Sequence, residues 1–94
     1  MKRNKPMRRQ HPETENNYKA YQVFRPFFLR EHPICEMKVE CLKPSNEIHH
    51  MKGHGYRGRL LCSERWLKAS CIECHAYTHS HMKEAREKGL VLYP

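Results

Sequence analysis

Cysteine side chains are spaced along this chain in a way that suits a metal ion. Cys71 and Cys74 are separated by two residues, which lets both thiolates bind one tetrahedral ion. Cys35 and Cys41 form a looser second pair earlier in the chain. Two such pairs in a protein with reduced thiols predict one structural zinc site. The fifth cysteine, Cys62, is expected to be a small buried residue.

Histidines supply a second set of ligands. His75 and His79 are spaced four residues apart in a predicted helix, so their rings lie on one face and can share an ion. The third ligand would be His49 or His50, because adjacent strand residues point to opposite sides and only one can face the ion. The other imidazole is suited to taking a proton from water at neutral pH. An ion held by three imidazoles can polarise a phosphate, so the set indicates phosphodiester hydrolysis.

The charge of the chain favours a polyanionic partner. Lys and Arg number 18 against 10 Asp and Glu, which gives a formal charge of +8, the electrostatic footprint of nucleic-acid binding. Lys52, Arg57 and Arg59 lie in a glycine-rich segment and are candidates for phosphate contacts, with a solvated loop as the alternative. The sequence has no apolar signal segment and no apolar run that could cross a membrane. It therefore predicts a cytoplasmic protein with reduced thiols.

The first part of the chain is predicted to contain a tail and a short helix. The 94 residues allow one domain at most, and with 38% apolar residues its core should be thin. Residues 1–17 are basic and contain no hydrophobic periodicity, which predicts a disordered tail before a domain at residues 18–94. Proline suits the first turn of a helix, so a helix is predicted from Pro26 to His32. Its candidate core residues are Phe27 and Phe28, with Val23 and Phe24 just before it.

The second part of the chain is predicted to form a strand, strand, helix unit. Weak alternation predicts a strand at residues 47–51, and a short apolar run predicts another at residues 60–62. A helix should run from about Ile72 to Lys88 and end at Gly89. Residues 90–93 would fold back on the core.

The order and spacing of these residues resemble those of the HNH endonuclease family in its small phage-type form. The similarity extends from Phe28 to Tyr93. The matching residues are Phe28-Leu29-Arg30-Glu31-His32-Pro33-Ile34-Cys35, Cys41, Glu47-Ile48-His49-His50-Met51-Lys52-Gly53, Leu60-Leu61, Trp66-Leu67, Cys71, Cys74-His75, His79 and Glu84-Ala85-Arg86-Glu87-Lys88-Gly89.

This resemblance implies an α+β protein with a small ββα-metal (His-Me finger) fold that cuts or nicks double-stranded DNA. It implies that His50 is the general base and that one divalent cation (Mg²⁺, Mn²⁺, Ni²⁺ or Zn²⁺) assists catalysis. The implied ligands of that cation are His49, His75 and His79. The implied ligands of a separate structural Zn²⁺ are Cys35, Cys41, Cys71 and Cys74.

The chain departs from the family pattern in one respect. In the family, an asparagine between the second strand and the Cys-x-x-Cys pair usually orients the general base. Residues 60–70 of this chain contain no Asn or His. A backbone carbonyl could orient His50 instead, a side chain such as Ser63 could do so, or the activity is reduced. The alternative function is a non-catalytic, zinc-stabilised module that binds DNA or takes part in phage packaging. Its partners would include terminase or other packaging proteins, in the cytoplasm of a bacterial host.

Overall fold

The computed structural model describes residues 10–93, which form a small mixed fold of helices and a two-stranded antiparallel sheet. Its regular elements are α1 (Pro12–Glu31), β1 (Glu47–His50), β2 (Leu67–Ser70), α2 (Ile72–Ser80) and α3 (Met82–Glu87). In the sheet, Glu47 lies opposite Ser70 and His50 lies opposite Leu67. Among the described residues, no helix combines the length and apolar character needed to cross a membrane.

The first helix begins much earlier than the sequence predicted. α1 starts at Pro12 rather than Pro26, so the predicted boundary after residue 17 falls inside this helix. Pro12 occupies the first helical turn, where its missing N–H removes no helical hydrogen bond. The ring of His11 caps the helix, because its Nδ1 accepts from the backbone N–H of Glu13 at 3.1 Å. Residues 1–9 of the predicted tail lie outside the described residues.

Pro26 lies within α1 without ending it. A proline inside a helix removes a backbone hydrogen bond and costs about 3 kcal/mol. Burial of apolar side chains from α1 against the sheet offsets this cost, which local sequence rules do not detect. The residues that pack together here are Phe28, Ile48, Leu67 and Ala69, bordered by Tyr21, Phe24 and Leu29.

The core residues predicted near Pro26 are confirmed only in part. Phe28 is 2% exposed, and Phe24 packs at the edge of the same cluster. Phe27 and Val23, by contrast, are 56% and 65% exposed, so their prediction as core residues is wrong. These two side chains are exposed because α1 is a long helix with only one side facing the sheet.

The second strand is also displaced from its predicted position. Residues 60–62 form a turn, and the strand that pairs with β1 is β2 at residues 67–70. The apolar run at 60–62 reflects the burial of one side chain, since Leu61 has no exposed surface. Gly58 makes room for it: a Cβ atom there would lie 2.9 Å from Leu61 Cδ1.

The predicted C-terminal helix is divided in two at His81, where ψ is 57°. The Ser80 hydroxyl donates to the carbonyl of Tyr77 at 3.1 Å, a local bond that competes with helix continuation. Gly89 follows α3 with φ of 75°, as expected of a glycine that ends a helix. Residues 90–93 do fold back on the core, since the Leu92 N–H donates to the Met51 carbonyl at 2.8 Å.

The segment between α1 and β1 is attached to the edge of β2. The Glu36 N–H donates to the Ala69 carbonyl at 2.8 Å, and Glu36 Oε1 accepts from the Ala69 N–H at 2.9 Å. Within the segment, the Cys35 N–H donates to the Lys43 carbonyl at 2.9 Å. These bonds bring the first cysteine pair next to the start of α2.

Candidate metal centres

The four cysteines that the sequence paired lie together. One ligand atom from each of Cys35, Cys41, Cys71 and Cys74 lies within 4.8 Å of all the others, so the group could hold a metal ion such as zinc. The Cys41 sulfur is 3.9 Å from that of Cys71 and 3.8 Å from that of Cys74. A tetrahedral zinc with Zn–S bonds of about 2.3 Å separates its sulfurs by about 3.8 Å. The observed spacing therefore fits this coordination without rearrangement of the chain.

The surroundings of the thiols also suit metal binding. Burial raises the pKa of Cys35, but backbone N–H groups of Cys71 and Met37 and the neighbouring thiols outweigh it and lower the value to about 7. Burial and the neighbouring thiols raise the pKa of Cys74 to about 12. Four thiolates can coexist at this spacing only if a cation offsets their mutual repulsion. Cys62 is not part of this group and is only half-buried.

A second group contains three imidazoles. His49 on β1 meets His75 and His79 on α2, and one ligand nitrogen of each lies within 4.8 Å of the others. His49 is 1% exposed, and its Nε2 lies 2.6 Å from the Leu90 carbonyl. Because a carbonyl only accepts, Nε2 carries the hydrogen and Nδ1 keeps the lone pair. Nδ1 is buried and has no hydrogen-bond partner among the described residues, as expected of a metal ligand.

The two helical histidines are held so that their Nε2 atoms meet. Glu47 Oε1 accepts from His75 Nδ1 at 2.6 Å, which leaves Nε2 of His75 free, 3.1 Å from Nε2 of His79. A carboxylate behind a metal-binding histidine fixes the ring and makes it more basic. Burial, followed by the nearby His75, lowers the pKa of His79. Burial also lowers the pKa of His49, so both rings are neutral and can donate lone pairs at neutral pH.

His50 lies beside this group but has different partners. Its Nε2 is 3.1 Å from the Leu61 carbonyl, so Nε2 carries the hydrogen and Nδ1 has the lone pair. Burial lowers the pKa of His50 to about 4, and the ring is neutral at pH 7. The sequence left open two ways of orienting His50, a backbone carbonyl or a side chain such as Ser63, and the structure shows a backbone carbonyl in contact with the ring. His49 and His50 both line one open cleft, together with Tyr21, His54, His75 and His79.

The three cations predicted to contact phosphates already have partners within the protein. Arg59 makes a bidentate contact with Glu13 at 2.5 and 2.9 Å, and Arg57 Nη1 lies 3.5 Å from the same carboxylate. The Arg59 hydrogen bond is the main cause that lowers the pKa of Glu13. Lys52 Nζ lies 3.9 Å from the ring centroid of Trp66. Trp66 itself is half-buried.

Several residues around these groups were not predicted from the sequence. Glu47 could have been found, because residues two apart on a strand share a face and Glu47 is two residues before His49. The contacts of Glu13, Leu61 and Leu90 connect positions far apart in the sequence, for which spacing gives no signal. No family model, curated protein or solved structure matches this chain.

Proposed function

We propose that this protein is a metal-dependent DNA endonuclease that hydrolyses phosphodiester bonds. The proposal depends on one observation: three ligand nitrogens of His49, His75 and His79 converge beside a neutral fourth imidazole, His50, in one cleft. The order strand, strand, helix around this cleft is the order that a ββα-metal fold requires. The formal charge of +8 suits a polyanionic substrate.

The four thiols are proposed as a separate site for structural zinc. Its ligands would be Cys35, Cys41, Cys71 and Cys74, which make up most of a second small core cluster together with Met37 and Leu90. A zinc ion there would join the segment before β1 to the first turn of α2. Since α2 also carries His75 and His79, the zinc would hold the helix that supplies two ligands of the reactive ion.

The residues of the cleft have two separate roles in the proposed hydrolysis: the three histidines hold the ion and His50 accepts the proton. A divalent ion on the three histidines would polarise the scissile phosphate and stabilise the leaving 3′-oxygen. His50 Nδ1 accepts a proton from water while the water oxygen bonds to phosphorus and the P–O3′ bond breaks. The Leu61 carbonyl keeps the His50 ring in the required tautomer. Imidazole ligands favour Zn²⁺ or Ni²⁺, and Mn²⁺ or a hydrated Mg²⁺ also fits a site with open positions.

Nicking of supercoiled plasmid tests the proposed function. The zinc-loaded protein is incubated with plasmid and Mg²⁺, Mn²⁺, Ni²⁺ or Zn²⁺, and His50→Ala purified in the same way measures contaminating nuclease. We expect ion-dependent nicking by the wild type that EDTA stops. Equal background from the two proteins with every ion would show that the endonuclease proposal is wrong. If both then bound DNA equally, the non-catalytic DNA-binding module would be favoured.

Glu47→Gln is expected to weaken binding of the reactive ion. The amide of glutamine is neutral, so it accepts the His75 Nδ1 hydrogen more weakly than the Glu47 carboxylate does. The ring is then held less firmly and is a weaker metal ligand. Loss of such a second partner typically lowers metal affinity about 10–100-fold. Calorimetric titration of zinc-loaded protein with Ni²⁺ measures the change. Glu64→Gln, at an exposed position before β2, is the matched control, and an affinity of Glu47→Gln within twofold of this control would contradict the prediction.

Glu13→Gln is expected to strengthen DNA binding. The substitution removes the carboxylate that pairs with Arg57 and Arg59, so both guanidinium groups become available to phosphates. We expect the dissociation constant to fall about threefold to tenfold and the salt dependence to steepen by about one phosphate contact. Fluorescence anisotropy with a labelled duplex at several salt concentrations measures both. Glu15→Gln, in the same helical turn and paired with Lys19 at 3.5 Å, is the control; equal changes in both variants would contradict the prediction.

A further inference from the structure

His54 is the fifth histidine of the cleft, and neither metal binding nor general-base chemistry gives it a role. Its ring lines the cleft, and its centroid lies 4.7 Å from that of His50, with the two rings near perpendicular at 72°. This ring is exposed, so it is open to a ligand in the cleft.

The backbone holds His54 in a defined turn. The flanking Gly53 and Gly55 have φ of 72° and 77°, values that other residues rarely adopt. A Cβ on Gly55 would lie 2.6 Å from Leu60 Cγ, so the close approach requires glycine here. The Leu60 N–H donates to the His54 carbonyl at 2.8 Å and closes the turn. The position of His54 is therefore set by the fold.

A tyrosine from α1 orients the ring of His54. The Tyr18 hydroxyl lies 2.9 Å from His54 Nδ1. Because an imidazole nitrogen is far more basic than a phenol oxygen, the hydroxyl donates and Nδ1 accepts. The remaining nitrogen, Nε2, then carries the hydrogen. Asn17 strengthens this arrangement, since its Nδ2 donates to the Arg57 carbonyl at 3.0 Å and fastens the glycine-rich turn to α1.

Within the cleft, His50 thus offers a hydrogen-bond acceptor and His54 offers a hydrogen-bond donor. The Leu61 carbonyl leaves His50 with a lone pair on Nδ1, whereas Tyr18 leaves His54 with a hydrogen on Nε2. A phosphodiester undergoing hydrolysis needs an acceptor for the proton of water and a donor for its non-bridging oxygens. Arg57 and Arg59 are paired with Glu13, whereas His54, whose ring centroid lies 4.7 Å from that of His50, makes no ion pair within the described residues.

We propose that His54 Nε2–H donates a hydrogen bond to a non-bridging phosphate oxygen of the DNA in this cleft, and that Tyr18 is the residue that positions it. The inference rests on the proposed endonuclease function and assigns a substrate contact to a residue outside the metal-binding set. It also gives α1 a part in the reaction, because the helix supplies the hydroxyl that sets the tautomer of His54.

The test compares nicking kinetics of full-length variants in the zinc-loaded state. We expect His54→Ala to lower kcat/KM about 10–100-fold, the loss of one hydrogen bond to a charged group, His54→Gln to recover part of this loss through its amide donor, and Tyr18→Phe to lower kcat/KM about threefold to tenfold. His81→Ala removes an exposed ring that stacks on Tyr77 outside the cleft and should match the wild type. Zinc content and circular dichroism confirm that each variant is folded.

Nitrogen chemical shifts of the imidazoles supply a readout independent of nicking. Long-range ¹H–¹⁵N spectra should show His54 with its hydrogen on Nε2, and Tyr18→Phe should convert it to a mixture of tautomers. A hydrogen on Nδ1 in the wild type, or a kcat/KM of His54→Ala within twofold of an active wild type, would overturn the inference and leave the endonuclease proposal standing. If the wild type nicks no faster than His50→Ala, the endonuclease proposal fails and this inference fails with it.

Discussion

Cys71→Ser should yield a chain that binds no stoichiometric zinc and shows no cooperative unfolding. Cys71 is 2% exposed and directly follows β2. Its sulfur also caps α2, accepting from the Cys74 N–H at 3.4 Å. Structural zinc contributes about 10–16 kcal/mol of apparent free energy in small peptides, which is comparable to the roughly 5–15 kcal/mol of net stability of a typical domain. Serine binds zinc poorly, so this free energy is lost even though the serine hydroxyl can still cap α2.

Cys62→Ser is the matched control for this result. Cys62 is the one cysteine outside the thiol group, so its sulfur is not placed to bind the same ion. We expect the control to keep one zinc and a sigmoidal thermal transition, as measured by elemental analysis and circular dichroism. Zinc retention and cooperative unfolding in Cys71→Ser would show that the four thiols do not form a structural site. Reversible loss of the transition with a strong chelator gives a second measurement on the unaltered chain.

The parts of the site that sequence could predict are those where residue type and spacing determine the chemistry. Cys71 and Cys74 are close in space because two residues separate them at the start of a helix. His75 and His79 share a face because they are one helical turn apart. The identity of their partners was accessible because thiols and imidazoles have few other roles in a small polar chain. The strand that carries His49 was found from its weak alternation.

The elements that sequence misplaced are those decided by long-range packing. Pro26 fits the local rule for a helix start. The helix α1 nevertheless continues on both sides of Pro26, because the burial of Phe28 against the sheet stabilises it. Leu61 contributed to an apparent strand because a short apolar run predicts a strand whether its residues pair with another strand or are only buried in the core. Its carbonyl, which orients His50, belongs to the backbone and leaves no trace in residue type. The contact of Arg59 with Glu13 depends on α1 and the glycine-rich turn meeting in space.

Loss of His50 should reduce nicking more than loss of any other residue in the cleft that does not bind an ion. A positioned general base contributes about 10²–10⁴-fold to the rate. We therefore expect His50→Ala to lower the single-turnover rate by about this factor, while DNA affinity and Ni²⁺ affinity stay within twofold of the wild type. Quenched nicking time courses at saturating protein, anisotropy and calorimetry measure the three quantities. The separation matters because His49 is adjacent, and a variant that disturbed it would lose the ion as well.

The orientation of His50 by Leu61 makes this prediction sharper. A backbone carbonyl cannot be removed by substitution, but Leu61→Ala shortens a side chain with no exposed surface and loosens the turn around that carbonyl. If the carbonyl holds His50 in its tautomer, Leu61→Ala should lower the nicking rate in proteins that still bind Ni²⁺ normally, and it should have no further effect in a His50→Ala background. Additive losses in the double variant would mean that Leu61 acts on stability alone. A rate for His50→Ala close to that of the wild type would mean that another group removes the proton from water.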